Sequence, residues 1–237
     1  MAIIAAFQDS ATTDEAPRAI WPWEDERRDC HCFTLRYGFH EGPNGETFAL
    51  PEQLIRASPR RKTEFVAGRR CAAAAIRDLT GQEVSPGMGE DRAPIWPEGI
   101  IGAISHSHDR AIALAGCSRR FCGIGVDIER LLTEEVARDI APQALTPRER
   151  RSLGTAVDPF VVGLIFSAKE SLFKALYPSV RSFFPFEAAE LSASHENGSA
   201  ALRLTTDLGD QWRSGAIIPF RFCTFGDFVM TRVLVEH

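Results

Sequence analysis

The chain has 237 residues, 44% apolar and 25% charged. This is ordinary globular composition, with enough length for one large domain or two small lobes around a real core. A formal charge of -5 excludes a general nucleic-acid binder, whose affinity rests on a net basic surface. No run approaches the ~18 apolar residues of a membrane span, and Met1 to Phe7 lacks the length and basic flank of a secretory leader, so a cytoplasmic protein without membrane or nucleic-acid partners is expected.

Residues 1 to about 50 mix charge clusters with Pro22, Pro43 and several glycines, which predicts loops with short strands. Cys30-His31-Cys32 is the only arrangement resembling metal ligands. It has no suitable fourth partner, and the cysteines at 30, 32, 71, 117, 122 and 223 lack Cys-x-x-Cys spacing, so reduced, mostly buried thiols are expected. Ser58-Pro59 is a cap followed by proline at the first helical position. It predicts a helix to Thr80-Gly81 that buries Phe65, Val66, Ala73, Ile76 and Leu79. Arg56, Arg60, Arg61, Lys62, Arg69 and Arg70 crowd its first half, where cations oppose the helix dipole and a bound anion would be favoured.

Gly81 to Gly99 reads as a loop. Ile100 to Ser105, Ala111 to Ala115 and Cys122 to Ile128 read as strands, the first two joined by a turn at His106 to Arg110. Thr133 to Ile140 has helical spacing, and Thr146-Pro147-Arg148-Glu149 supplies cap, proline and capping-box acid for a second short helix. Asp158 to Tyr177 is the longest helical segment, with Pro178 as its expected end. Glu187 to Leu191, Ala200 to Thr206, and Ile217 to Val235 with a turn at Gly226-Asp227 predict antiparallel strands. Each half thus holds one long helix and several strands, an α+β fold. The expected join lies near Gly116 to Phe121, giving lobes of residues 1–118 and 119–237.

Chemistry concentrates in three places. Only three of the 27 Lys and Arg residues are lysine, and two of them, Lys169 and Lys174, flank Glu170 on the long helix. There Val161, Leu164, Ile165, Ala168, Leu172 and Leu176 form an apolar stripe, with Ser167, Glu170 and Lys174 opposite. An i,i+4 ion pair between Glu170 and Lys174 is the plain reading. An ammonium kept where guanidinium is otherwise preferred points instead to phosphate or proton chemistry. Asp127 and Glu129 alternate with apolar residues and share one face of a strand. They are either its wet face or a pair whose repulsion a hard cation such as Mg²⁺ or Mn²⁺ relieves. Ile104-Ser105-His106-Ser107-His108 ends a strand with hydroxyls and imidazoles able to donate to phosphate, or else is a plain turn. Cys122-Gly123-Ile124-Gly125 lacks the third glycine of a dinucleotide fingerprint.

Taken jointly, Gly125-Val126-Asp127-Ile128-Glu129, Phe166-Ser167-Ala168-Lys169-Glu170-Ser171 with Phe173-Lys174-Ala175, and Ile104-Ser105-His106-Ser107 resemble the 4'-phosphopantetheinyl transferases, specifically their bacterial two-lobed type. Arg60-Arg61-Lys62-Thr63-Glu64-Phe65 with Ala67-Gly68-Arg69, Arg92-Ala93-Pro94-Ile95-Trp96-Pro97 and Tyr177-Pro178 extend the resemblance over about residues 56 to 178. It implies two pseudo-twofold α+β lobes with coenzyme A between them. It also implies a Mg²⁺ (or Mn²⁺) held by Asp127, Glu129 and Glu170, and coenzyme A contacts from Arg61, Arg69, Arg92, Ser105, His106 and Lys169. Glu170 and Lys174 are the implied catalytic pair.

The implied reaction moves the phosphopantetheine arm onto a serine of an apo carrier protein of fatty-acid, polyketide or non-ribosomal peptide synthesis, siderophores included, with release of 3',5'-ADP. A Mg²⁺-dependent hydrolase of a nucleotide pyrophosphate would use the same carboxylates, and a catalytically silent carrier-binding module is the third reading.

Overall fold

Two antiparallel sheets divide the chain at residues 118–120. The computed structural model describes residues 16–23, 25, 29–38, 50–154, 157–195 and 197–237, so the expectations for Met1 to Phe7 and Pro43 lie outside the described residues.

The first half holds β1 (Arg18–Ile20), β2 (Cys30–Arg36), a single helical turn α1 (Glu52–Ile55), the long helix α2 (Pro59–Thr80), a minimal hairpin of β3 (Gly87–Met88) and β4 (Pro94–Ile95), then β5 (Ile100–Ser107) and β6 (Arg110–Cys117). Its main sheet has the order β1-β2-β6-β5. Helix α2 has the predicted bounds: the Ser58 hydroxyl accepts from Arg61 N at 3.2 Å, and Gly81 ends it at φ 73°, where a Cβ would be strained.

Helix α2 buries Val66 and Ile76 as expected, but much of its buried surface is made of smaller residues than predicted. Ala67, Cys71, Ala72, Ala74 and Ala75 meet Ala111, Ala113 and Ala115, while Leu79 is only partly covered. Small residues on both surfaces let helix and sheet approach closely, and Phe65, like Leu79, is left only partly buried. Strand β5 runs two residues further than predicted, which places His106 within the strand and moves the turn to His108-Asp109. His108 there adopts φ 54°. All six cysteines are thiols, four of them buried.

The second half holds β7 (Phe121–Arg130), α3 (Glu134–Ala144), α4 (Pro147–Leu153), α5 (Pro159–Val180), β8 (Ala189–Ser194), β9 (Ser199–Leu204), β10 (Ile217–Phe225) and β11 (Phe228–Glu236). Its sheet order is β7-β11-β10-β9-β8. Asp158 caps α5 by accepting from Phe160 N at 2.9 Å. The helix continues through Pro178, predicted to be its end, and stops at Arg181, which has φ 55°. So near the terminus a proline forfeits only one backbone bond, which the packed last turn tolerates.

Leu164, Ala168, Leu172 and Leu176 pack with Leu202, Phe220 and Phe222, and Val162 and Ile165 pack with Ala137, Ala141 and Leu145. A third cluster joins the two sheets: Ala103, Ile112 and Leu114 meet Ile124, Val126, Ile128 and Met230. Among the described residues no helix is long and apolar enough to cross a membrane.

Candidate active site

Strand β7 lies unusually close to α5. A Cβ added to Gly125 would sit 1.8 Å from the Ser171 carbonyl oxygen, and one on Gly123 would sit 2.4 Å from that of Ala175. Only glycine permits that approach. Ser167 and Ser171, opposite the leucine stripe, are also buried. Their hydroxyls bond Thr231 of β11 at 2.9 and 2.7 Å. By strand alternation Asp127 and Glu129 follow Gly123 and Gly125 on the same face, and so both acids are driven toward α5.

Asp127 is 2% exposed. Its Oδ1 accepts from Ser105 Oγ at 2.7 Å and from Lys174 Nζ at 2.7 Å, while its Oδ2 is buried and takes no hydrogen bond. Lys174 also donates to Ser105 Oγ at 2.9 Å and the Val126 carbonyl at 3.2 Å, which occupies all three of its protons. The plain i,i+4 pair is therefore not what forms. Lys174 serves Asp127, and Glu170 makes no hydrogen bond or ion pair among the described residues.

Glu129 accepts from Ser107 Oγ at 2.9 Å. Burial, then the charge of Asp127 and that of Glu170, pushes the Glu129 carboxyl up to about 8. Burial likewise raises Glu170, with Asp127 adding to the effect and Lys174 opposing it.

Three carboxyl groups that sense one another thus share a single ammonium. As they stand, no three His, Cys, Asp or Glu side chains among the described residues are grouped closely enough to hold a metal. Yet the donor set suits a hard divalent cation. It offers carboxylate oxygens only, one of them buried and unpartnered, and two acids are raised by burial and by each other's charge.

A basic wall stands beside this group on α2. Arg61 NH1 lies 2.9 Å from His106 Nε2, and Glu64 Oε2 is 3.6 Å from Arg61 and 3.9 Å from His106 Nδ1. Burial depresses the His106 pKa, and because a guanidinium only donates, Nε2 is the acceptor of this contact. Arg69, from the basic group of α2, is 5% exposed. It stacks on Phe65 with 4.7 Å between guanidinium carbon and ring centroid, and donates to the Gly87 carbonyl at 2.9 Å. Burial lowers its pKa to about 10.

Lys169, Ser105 and Arg92, also expected as coenzyme A contacts, have other surroundings than the Arg61–His106 pair. Lys169 is 2% exposed and is not brought to the carboxylates. Its ammonium donates to Glu149 Oε2 at 2.7 Å and to the Ala144 carbonyl at 2.8 Å, because α3 and α4 fold back over that side of α5. Ser105 is buried with its single proton committed to Asp127. Arg92 is exposed, at φ 67°, on the turn between β3 and β4. Asp91 pins that turn to α5 by accepting from Tyr177 Oη at 2.8 Å.

Sequence reasoning gave Ser107 only as one of the hydroxyls of the Ser-His run, and gave Glu64 and Glu149 no part in the site. Ser107 shares the strand parity of Ser105, a signal that was available. Glu149 was visible only as a capping acid. In the structure its Oε2 caps Thr146 N at 2.7 Å and its Oε1 accepts from Leu191 N at 2.7 Å.

Two family models cover most of the chain. The 4'-phosphopantetheinyl transferase N-terminal domain matches residues 50–116, and the 4'-phosphopantetheinyl transferase superfamily matches residues 123–232. The 4'-phosphopantetheinyl transferase Svp of Streptomyces mobaraensis is 32% identical over 71% of this chain and 71% of that protein. The chain belongs to the 4'-phosphopantetheinyl transferase superfamily.

Similarity extends to further relatives. The 4'-phosphopantetheinyl transferase Npt of Nocardia iowensis is 34% identical over 63% of this chain and 67% of that protein. Enterobactin synthase component D of Salmonella typhimurium is 37% identical over 61% of each chain. This chain therefore spans about three-fifths of that relative's length. Asp127 and Glu129 of β7 and the whole of helix α5 fall within the superfamily match, and the Arg61–His106 pair falls within the N-terminal one.

Proposed function

We propose that this protein transfers the 4'-phosphopantetheine arm of coenzyme A to a serine of an apo carrier protein and releases 3',5'-ADP. One observation carries the reading. In a member of this superfamily, Asp127, Glu129 and Glu170 share a single ammonium where β5 meets β7, beside the Arg61–His106 pair. The two sheets are read as two lobes, 1–118 and 119–237, with coenzyme A at their junction.

In this reading Asp127, Glu129 and Glu170 hold Mg²⁺ or Mn²⁺, which when bound neutralises charge on the diphosphate of coenzyme A. Arg61 and His106 face the phosphates. Arg69 adds its positive charge from beneath, and Arg92 approaches from the β3–β4 turn. Lys174 places a fixed positive charge where the transferred phosphoryl group becomes more negative, an effect strengthened by exclusion of water. Its three protons are all engaged, so it acts through charge or gives up one bond to protonate the leaving group.

Glu170 makes no hydrogen bond or ion pair among the described residues, so besides its part in holding the cation it is the acid read as taking the proton of the incoming serine, directly or through a water. The acceptor side is read at an apolar cavity of about 270 Å³ beside Glu170, lined by Phe173, Phe184 and an 80% exposed Phe183. The carrier is one of fatty-acid, polyketide or non-ribosomal peptide synthesis, and the enterobactin synthase relatives favour a siderophore system.

The test is to incubate the protein with coenzyme A, Mg²⁺ and apo carriers of several classes and weigh the carriers by mass spectrometry. A carrier heavier by one phosphopantetheine arm is expected. No gain on any carrier overturns the reading. Loss of coenzyme A with no carrier present would favour a nucleotide-pyrophosphate hydrolase.

A further inference from the structure

The two hydroxyls of β5 stand in register with the two acids of β7. Ser105 Oγ bonds Asp127 Oδ1 at 2.7 Å and Ser107 Oγ bonds Glu129 Oε2 at 2.9 Å, each pair separated by 22 positions. The two edge strands therefore run side by side in the same direction. A rung of side-chain hydrogen bonds replaces a backbone ladder between the sheets.

Neither hydroxyl is free to bind anything else. A serine has one proton to donate, and that of Ser105 goes to Asp127 while its lone pairs receive Lys174 Nζ at 2.9 Å. Ser107 Oγ also lies 3.2 Å from His108 Nδ1 and 3.4 Å from Arg130 N. Ser105 and Ser107 are 6% and 7% exposed, so a phosphate would reach them only by breaking the bonds to the acids.

We infer that Ser105 and Ser107 are positioning residues of the first sheet that orient the acids of the second, leaving Asp127 Oδ2 and Glu129 Oε1 as the oxygens offered to a divalent cation. The inference rests on the metal reading above and replaces the direct coenzyme A contact expected of Ser105. Hydrogen bonds to ligating carboxylates fix their orientation, and losing such a partner typically weakens metal binding by about 10–100-fold. It also makes the cation site depend on both sheets, since its supports come from β5 and its ligands from β7 and α5.

The experiment measures Mn²⁺ affinity from the electron paramagnetic resonance signal of free Mn²⁺, with no coenzyme A or carrier present. Coenzyme A affinity is measured separately by calorimetry in EDTA. Ser105→Ala and Ser107→Ala are each expected to weaken Mn²⁺ by about tenfold, with coenzyme A affinity in EDTA unchanged and Ser107→Thr restoring the metal affinity. Weakened coenzyme A binding with unaltered Mn²⁺ affinity overturns the inference and returns the serines to a phosphate-donor role. Failure of Ser107→Thr to rescue also overturns it, by reducing Ser107 to a packing residue. If Ser105→Ala does not fold, Ser107→Ala carries the test at Glu129. A wild-type protein that takes up no Mn²⁺ sinks the metal reading itself, a result distinct from the other two.

Discussion

Lys174 passes over Glu170, its neighbour one helical turn back, and bonds Asp127 Oδ1 at 2.7 Å. The choice follows from burial: Asp127 is almost fully removed from water and needs a counter-charge more than the partly exposed Glu170 does. Lys174→Met is expected to lower carrier modification by about 10²–10³-fold, the usual effect of removing one fixed transition-state charge. Lys174→Arg is not expected to rescue, because a planar fork cannot reproduce bonds to Asp127, Ser105 and the Val126 carbonyl. Initial rates of holo-carrier formation give the measurement. Near wild-type rates in Lys174→Met would remove this lysine from the chemistry.

Glu129 makes stability depend on pH in a direction opposite to that of a salt-bridged acid. Its carboxyl titrates at about 8 in the folded protein against an ordinary 4.5, so between these values the native state keeps a proton that the unfolded chain has released. Stability must then fall as pH rises through that window. In EDTA the melting temperature of the wild type relative to Glu129→Gln is expected to decline from pH 5 to pH 8. Saturating Mg²⁺ should reverse the decline. A difference that stays flat or rises with pH contradicts the placement of Glu129.

Lys169 is predicted to be structural. Truncating it to Ala leaves Glu149 buried without its cation, a loss on the order of 3–5 kcal/mol, and detaches the start of α4 from α5. Urea unfolding should show that loss, while folded Lys169→Ala at low temperature should bind coenzyme A as the wild type does. A stable variant with weak coenzyme A binding would place Lys169 at the ligand instead.

Gly125→Ala drives a methyl to within 1.8 Å of the Ser171 carbonyl, a backbone atom that cannot rotate away. The strand must back off α5, which is expected to cost at least the ~1–3 kcal/mol typical of overpacking and to separate Asp127 from Lys174. Activity and melting temperature should fall together. Gly163→Ala serves as the control, since its added methyl would meet only the Leu132 side chain at 3.4 Å.

Much of the frame was legible along the chain. Ser58-Pro59 and Thr146-Pro147 mark helix starts through caps that act within a few residues, and each is found in place. The alternation in Gly123-Ile124-Gly125-Val126-Asp127-Ile128-Glu129 put both acids on one face before any fold was known. Local signals failed where a distant surface decides. Phe65 and Leu79 looked like core on α2, but the alanines of β6 favoured the small side of the helix. Pro178 looked like a stop, yet packing carried α5 past it.

The sequence alone determined which groups are present and on which element each rides: acids on β7, a scarce ammonium on α5, arginines on α2. Tertiary structure decided the pairings. It sent Lys174 to Asp127, Lys169 to Glu149 and the β5 serines to the acids of β7. The reason is that a hydrogen bond or ion pair depends on distances of about 3 Å. Between residues tens of positions apart, those distances are set only when helices and sheets pack.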